Sequence, residues 1–333
     1  MLFVPQEIWA WFETWPDIKL YPCSLPKWFS DCLDREAFDR IVDSFGIEMG
    51  KESEPSPTIT IIRHLQSQYN VYRETSDFYR EFREQEDPKK KKKLAKKVMK
   101  EYLEKVWLDP LTPLSEAGIQ DGKSKWVAMA EFYEAHPELF PRFITVSPHL
   151  RTRLTTKLMF EQVTDFSIDW SDFERDIPTH GMYIGKFQDE EVVVQLHESA
   201  TERSFWANLA PLDVEVVRLW QPNIHEHLSA EAQEHYWYSM RGVSWWESQP
   251  DCANRYKQLM YRHAKKTWQY PHSVIVGHHL GIVWAQTSIC GPSLPNHLKF
   301  NRYLRPGNGT VSLFVKVWEK VRMATFALTP TAG

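Results

Sequence analysis

The densest set of groups able to do chemistry is His225-Glu226-His227, followed by Glu231, Glu234 and His235. On a helix Glu231 and His235 are four residues apart and share a face. A histidine just before Ser229 could add a third donor. Imidazole and carboxylate together suit a divalent metal or general acid–base work, so His225, Glu231 and His235 form the metal-site alternative. The spacing is not HExxH, however, and acids in a first helical turn are explained by capping alone. The leading expectation is therefore no metal and no cofactor. Phosphodiester cleavage by metal would need well-placed acids. Asp189, Glu190 and Glu191 sit in a hairpin turn and Asp213 and Glu215 near a strand start, without a nuclease pattern. A metal-free alternative would draw on His272, His278, His279 and His297, since histidine moves protons near neutral pH.

Basic groups offer the stronger lead. From Cys252 to Trp318 there is not one Asp or Glu. The segment from 252 onward holds eleven Lys/Arg against Glu319, a net of +10, so residues 1–251 carry −14 of the total −4. Such asymmetry points to a polyanion-binding surface. Arg255, Arg262, Lys265 and Lys266 interleave with Tyr256, Tyr261 and Trp268 on an expected helix. Lys299, Arg302, Tyr303 and Arg305 lie in a Gly-flanked loop. Cations tracking phosphates beside aromatics that stack on bases are how single strands are held. A lysine run, Lys89 to Lys93 with Lys96, Lys97 and Lys100, opposes the dipole of the helix it starts. Lys90, Lys93 and Lys97 are its candidate phosphate contacts. The alternative for each set is a solvated face.

These groups need elements to place them. Ile62, Leu65, Tyr69, Tyr72 and Tyr79 step as a helical stripe from Pro57-Thr58. Asp87-Pro88 reads as the cap and first residue of a second helix, with Leu94, Val98 and Tyr102 in one row. Together they predict a helical hairpin. Further helices are expected near 124–135 and from Ser147-Pro148 to about Gln162. After about residue 165 the period shortens. Met182–Phe187 and Glu191–His197 flank a turn, Val214–Trp220 reads as a strand, Ser273–Val276 and Ile282–Thr287 flank a Gly-His-His-Leu-Gly turn, and Val311 to Val317 alternates before Val321–Leu328. Helices are expected near Ser229–Met240 and Asn254–Trp268. The expected class is α+β: a helical N-terminal half, residues 1–165, acidic and suited to protein partners, then a mixed, mainly antiparallel half, 166–333, with the basic surface.

Composition bounds the rest. With 333 residues, 42% hydrophobic and 25% charged, the chain can bury a full core and is not a disordered or fibrous sequence. Four cysteines without a CxxC pair suggest neither a zinc ribbon nor a disulfide framework, and a reducing, cytoplasmic setting is expected. The N-terminus lacks a basic region before its apolar residues, and no apolar run approaches the ~18 residues of a membrane span. Fifteen tryptophans suit a core, an interface or a stacking platform. GxxxxGK[ST], strand-linked GxGxxG and GxSxG are absent from the sequence. The reading that follows is a non-catalytic nucleic-acid-binding protein, a subunit of a larger assembly, with DNA and RNA both open. The alternatives are a metal-dependent nuclease or hydrolase, and a protein-only scaffold.

Overall fold

The computed structural model describes residues 19–20, 48–49, 58–106, 111–135, 137–175, 180–201, 216, 219, 249–266, 272–279, 281–283, 285, 308–317 and 320–328. Its centre is an eight-stranded mixed sheet. In chain order the strands are β1 (Thr58–Arg63), β2 (Phe143–Val146), β3 (Phe166–Ser167), β4 (Gly181–Phe187), β5 (Glu190–Leu196), β6 (His272–Gly277), β7 (Val311–Val317) and β8 (Lys320–Leu328). Across the sheet they run β8-β7-β1-β6-β2-β5-β4-β3. The middle four, β1, β6, β2 and β5, are parallel to one another; the flanking pairs are antiparallel. Lys19–Leu20 and Glu48–Met49 form a separate two-residue parallel ladder.

The expected helical first half is thereby corrected. Strands from both sides of residue 165 alternate in one sheet, and the class is mixed α/β around a parallel centre. Thr58-Ile59-Thr60-Ile61-Ile62 is β-branched throughout, which favours strand, and from Ile59 on it is buried. A strand covered on both faces shows no alternation, so periodicity alone assigns this run to a helix wrongly. Phe143–Val146 and His272–Gly277 are likewise buried along their whole length, and the expected extended run Ser273–Val276 lies within the second of them. Ile282 and Val283 are helical rather than extended, and so are Val216 and Leu219.

The helices are α1 (Gln68–Thr75), α2 (Asp77–Glu84), α3 (Pro88–Lys105), α4 (Glu116–Ala135), α5 (Leu150–Phe160), α6 (Ser171–Glu174) and α7 (Gln249–Lys266). The hairpin reading holds for α1 to α3. Ser67 makes a capping box with Asn70, Ser76 caps α2, and the Asp87 carboxylate accepts from the N–H groups of Lys89 and Lys90 at 2.8 and 3.2 Å. These helices bury their own cluster, which includes Tyr72, Tyr79, Phe82, Leu94, Val98 and Tyr102. The main core joins the sheet to α4 through Trp126 and Tyr133, to α5 through Met159 and Phe160, and to α7 through Tyr256 and Leu259. The β4–β5 hairpin turns on Gln188 and Asp189, both at positive φ (48° and 67°) as a tight hairpin turn requires.

In this order β6 lies between β1 and β2, although it comes after both in sequence. The carboxyl ends of parallel strands at such a point open a crevice where α/β proteins bind ligands. All four parallel strands deliver an imidazole there. Arg63 pairs in register with Gly277, so His64 and His278 follow at one level. His149 follows β2, and His197 follows β5, its N–H donating to the Val146 carbonyl at 2.9 Å.

Candidate active site

His64 leaves β1 with its Nδ1 2.7 Å from the Leu65 carbonyl. A carbonyl only accepts, so Nδ1 carries the proton and the neutral ring keeps its lone pair on Nε2. The ring is buried, and its pKa is held well below the ordinary histidine value, first by burial and then by the charges of Arg151 and Arg63. His278 leaves β6 one strand away, its ring centre 5.2 Å from that of His64. Its Nδ1 accepts from the Arg151 guanidinium at 3.2 Å and its Nε2–H donates to the Ser147 hydroxyl at 2.8 Å. Burial, then Arg151, holds this ring neutral as well. His149 stands edge-on to His278, ring centres 4.7 Å apart, and is kept neutral by burial and by Arg151, Arg153 and Arg255.

The scaffold explains why these groups meet. Thr155 on α5 accepts from the Leu65 N–H at 3.1 Å and donates to the Arg151 carbonyl at 2.7 Å, tying the end of β1 to the start of α5. His149 is the N-cap residue of α5, yet its side chain makes no capping bond, and no acid lies in the first turn. A helix start favours anions; here it is joined by the buried side chains of Arg63 and Arg151. Arg153 is committed to structure: its guanidinium donates to the carbonyls of Pro148, Asp172 and Arg175 at 2.9, 2.5 and 2.7 Å. The result is a cluster of two buried guanidinium groups, a helix N-terminus and three neutral imidazoles. Such a cluster suits a phosphoryl group, whose oxygens take paired guanidinium hydrogen bonds.

Among the described residues, the Glu198 carboxylate acts on two histidines at this end of the sheet, His180 and His197. Glu198 begins a 3₁₀ turn, Glu198–Ala200, capped by His197, whose Nδ1 accepts from the Ser199 N–H at 3.0 Å. The Ala200 carbonyl is 3.2 Å from where a Cβ on Gly277 would sit, so the turn rests on the residue before His278. Glu198 is half-buried, and its charge opposes the lowering of the His180 and His197 pKa values caused by burial.

All but one of the described basic residues singled out from sequence are exposed. Lys90, Lys93 and Lys97 are exposed on α3, with the Lys97 ammonium over the Phe78 ring at 5.1 Å. Arg262, Lys265 and Lys266 are exposed on α7. Arg255 is turned inward, one guanidinium nitrogen donating to the carbonyls of Glu198, Ser199 and Thr201 at 3.3, 2.9 and 3.0 Å. Trp268, Lys299, Arg302, Tyr303 and Arg305 lie outside the described residues, as do His225, Glu231 and His235 of the metal alternative. Among the described residues no group of three or more His, Cys, Asp or Glu is placed to hold a metal ion, and no helix is long and apolar enough to cross a membrane.

His278 was within reach of sequence reasoning; Arg63, His64 and Arg151 were missed. Their signal is an Arg-His pair directly after a β-branched run, and Ser147-Pro-His-Leu-Arg after another. It is visible only once those runs are taken as strands. His272, weighed beside His278, is structural: its ring joins the Thr60 hydroxyl at 2.8 Å and the Leu139 carbonyl at 2.7 Å.

No family model matches the sequence, and no curated protein matches it. Solved structures do. A mycobacterial glucosyl-3-phosphoglycerate phosphatase is similar at 15% identity and a TM-score of 0.44, over 83% of this chain and 100% of that one. The alpha-ribazole phosphatase from Shigella flexneri is similar at 12% identity and 0.43, over 83% and 98%. A mycobacterial hydrolase is similar at 16% and 0.45, over 82% and 99%. Each of these is named as a phosphatase or a hydrolase. The reading of this chain as a non-catalytic nucleic-acid-binding protein is corrected. Within the +10 segment Arg255 is spent on backbone carbonyls, while the His64, His149 and His278 rings lie buried at the sheet's carboxyl edge.

Proposed function

We propose that this chain is a phosphate-monoester hydrolase working through a phosphohistidine on His64. The observation that carries the reading is the Nδ1–H bond of His64 to the Leu65 carbonyl. It fixes a neutral ring with its lone pair on Nε2, beside two buried guanidinium groups. Histidine is a competent nucleophile in this form.

Arg63, Arg151 and the start of α5 hold the phosphoryl oxygens. His64 Nε2 attacks phosphorus as the bond to the ester oxygen breaks, and the departing oxygen takes a proton from the Glu198 carboxyl. The resulting carboxylate then draws a proton from water, whose oxygen attacks phosphorus. The N–P bond breaks, its electron pair returns to Nε2, and inorganic phosphate leaves. Charge spreads over the phosphoryl oxygens in both transition states, where pre-placed cations act without reorganising. His278, fixed between Arg151 and Ser147, keeps the guanidinium aimed.

The test is release of p-nitrophenol from p-nitrophenyl phosphate. The wild-type protein turns over and His64→Asn loses at least about a thousandfold, the scale of removing a nucleophile. Equal rates in the two proteins would overturn the reading.

A further inference from the structure

Four consecutive carbonyls, those of residues 198 to 201, all accept from two adjacent side chains of α7. Arg255 takes Glu198, Ser199 and Thr201 with one nitrogen, at 3.3, 2.9 and 3.0 Å. The Tyr256 hydroxyl lies 2.8 Å from the Ala200 carbonyl and 3.0 Å from that of Thr201, sharing its proton between them. The Glu198 carbonyl is also met within the turn, by the Thr201 N–H at 2.9 Å and hydroxyl at 2.7 Å. Those of Ser199, Ala200 and Thr201 accept from α7, as buried carbonyls require partners.

Tyr256 also reaches the other half of the site. A Cβ on Gly277 would lie 3.2 Å from its hydroxyl, and one on Gly281 only 1.9 Å from the ring, so both glycines are spaces that Tyr256 fills. These residues bracket His278. One side chain therefore touches the turn that carries the imidazole and bonds the turn that carries the carboxylate. Arg255 meanwhile sets its own ring partner, with its guanidinium carbon 5.2 Å above the Tyr256 ring.

We propose that Arg255 and Tyr256 are positioning residues that hold the Glu198 carboxyl at the leaving-group side of the phosphate pocket, fixing its distance from His278. The assignment rests on the phosphatase reading above and on Glu198 as its acid. It concerns proton delivery alone. Phosphate contact belongs to Arg63 and Arg151, and neither Arg255 nor Tyr256 touches the substrate.

A proton donor matters most when the departing oxygen is a poor leaving group. The test compares p-nitrophenyl phosphate, whose phenolate leaves unaided, with a simple alkyl phosphate, whose alkoxide does not. Tyr256→Phe keeps the ring packed on Gly281 and removes only the hydroxyl. Arg255→Lys keeps the charge and loses the planar fork. For both variants kcat/KM on the alkyl ester should fall by about 10- to 100-fold, part of the range general acid catalysis covers, and on the aryl ester several times less. In Glu198→Gln either change should cost the alkyl ester little more, because groups acting as one unit are not additive. Equal losses on the two esters, or full additivity with Glu198→Gln, would overturn the proposal and leave a purely structural role. Tyr256→Phe with an unaltered thermal transition guards against misfolding. No turnover of either ester by wild type would remove the phosphatase reading, and this assignment with it.

Discussion

Replacing Arg151 with methionine separates phosphate binding from folding. The side chain is buried at the first turn of α5, and one of its N–H groups is already on His278 Nδ1 at 3.2 Å. A guanidinium has five N–H groups in a rigid fork, a geometry that matches two phosphoryl oxygens at once. Hydrogen bonds to a charged group contribute about 1.5–3 kcal/mol each. Losing two bonds at the lower value costs about 3 kcal/mol, or roughly a hundredfold in affinity at about 1.4 kcal/mol per tenfold. The assay is calorimetric titration with inorganic phosphate, beside the thermal transition with and without it. Wild type should gain about 2.7 kcal/mol of stability at phosphate a hundred times its dissociation constant. At that same concentration the variant should gain only about 0.4 kcal/mol. Methionine fills much of the same volume and removes one of two neighbouring buried cations, so the phosphate-free variant should remain folded. A phosphate affinity within about threefold of wild type would refute the pocket as drawn.

Two further outcomes follow from the same geometry. His272 is fully buried and its pKa is lowered to about 4, against an ordinary 6.5, chiefly by burial and despite the Leu139 carbonyl. The unfolded chain therefore binds the proton more readily. Stability is full above pH 6.5 and declines as pH falls toward 4, by about 2 kcal/mol at pH 5 from this group alone. Urea unfolding at pH 7 and pH 5 should show that loss, smaller in His272→Gln; an unchanged difference between wild type and variant would contradict it. Gly281→Ala would place a Cβ 1.9 Å from the Tyr256 ring. The ring must move, costing about 1–3 kcal/mol by overpacking, and its hydroxyl bonds to the 200–201 carbonyls should loosen. Thermal unfolding checks the first effect, and a wild-type midpoint would count against the packing described.

What the sequence made legible was local. Asp87-Pro88 announces α3 through a cap and a fixed φ, and Gln188-Asp189 announces the hairpin of β4 and β5, because both signals are contained in a few residues. The parallel centre of the sheet was not legible. Thr58–Ile62 and Phe143–Val146 are covered on both faces, so neither shows a period of two, and Ile62 with Leu65 and Tyr69 imitates a helical stripe. The pocket was hidden for a related reason. Arg63-His64, His149 with Arg151, and His278 are far apart in sequence and meet only through the pairing of β1, β6 and β2. The charge gap from Cys252 to Trp318 was real, but it did not say where each cation points. It measures composition, whereas Arg255 is turned inward onto the Glu198–Ala200 turn.

The central claim is a covalent phosphoryl group on His64 Nε2. Rapid acid-free quenching of the enzyme with a phosphorus-labelled monoester, followed by peptide mapping, reads it directly. The account predicts label on the peptide containing His64, stable to base, released by acid and missing from His64→Asn. Turnover without label on that peptide, or label retained in the variant, would contradict it.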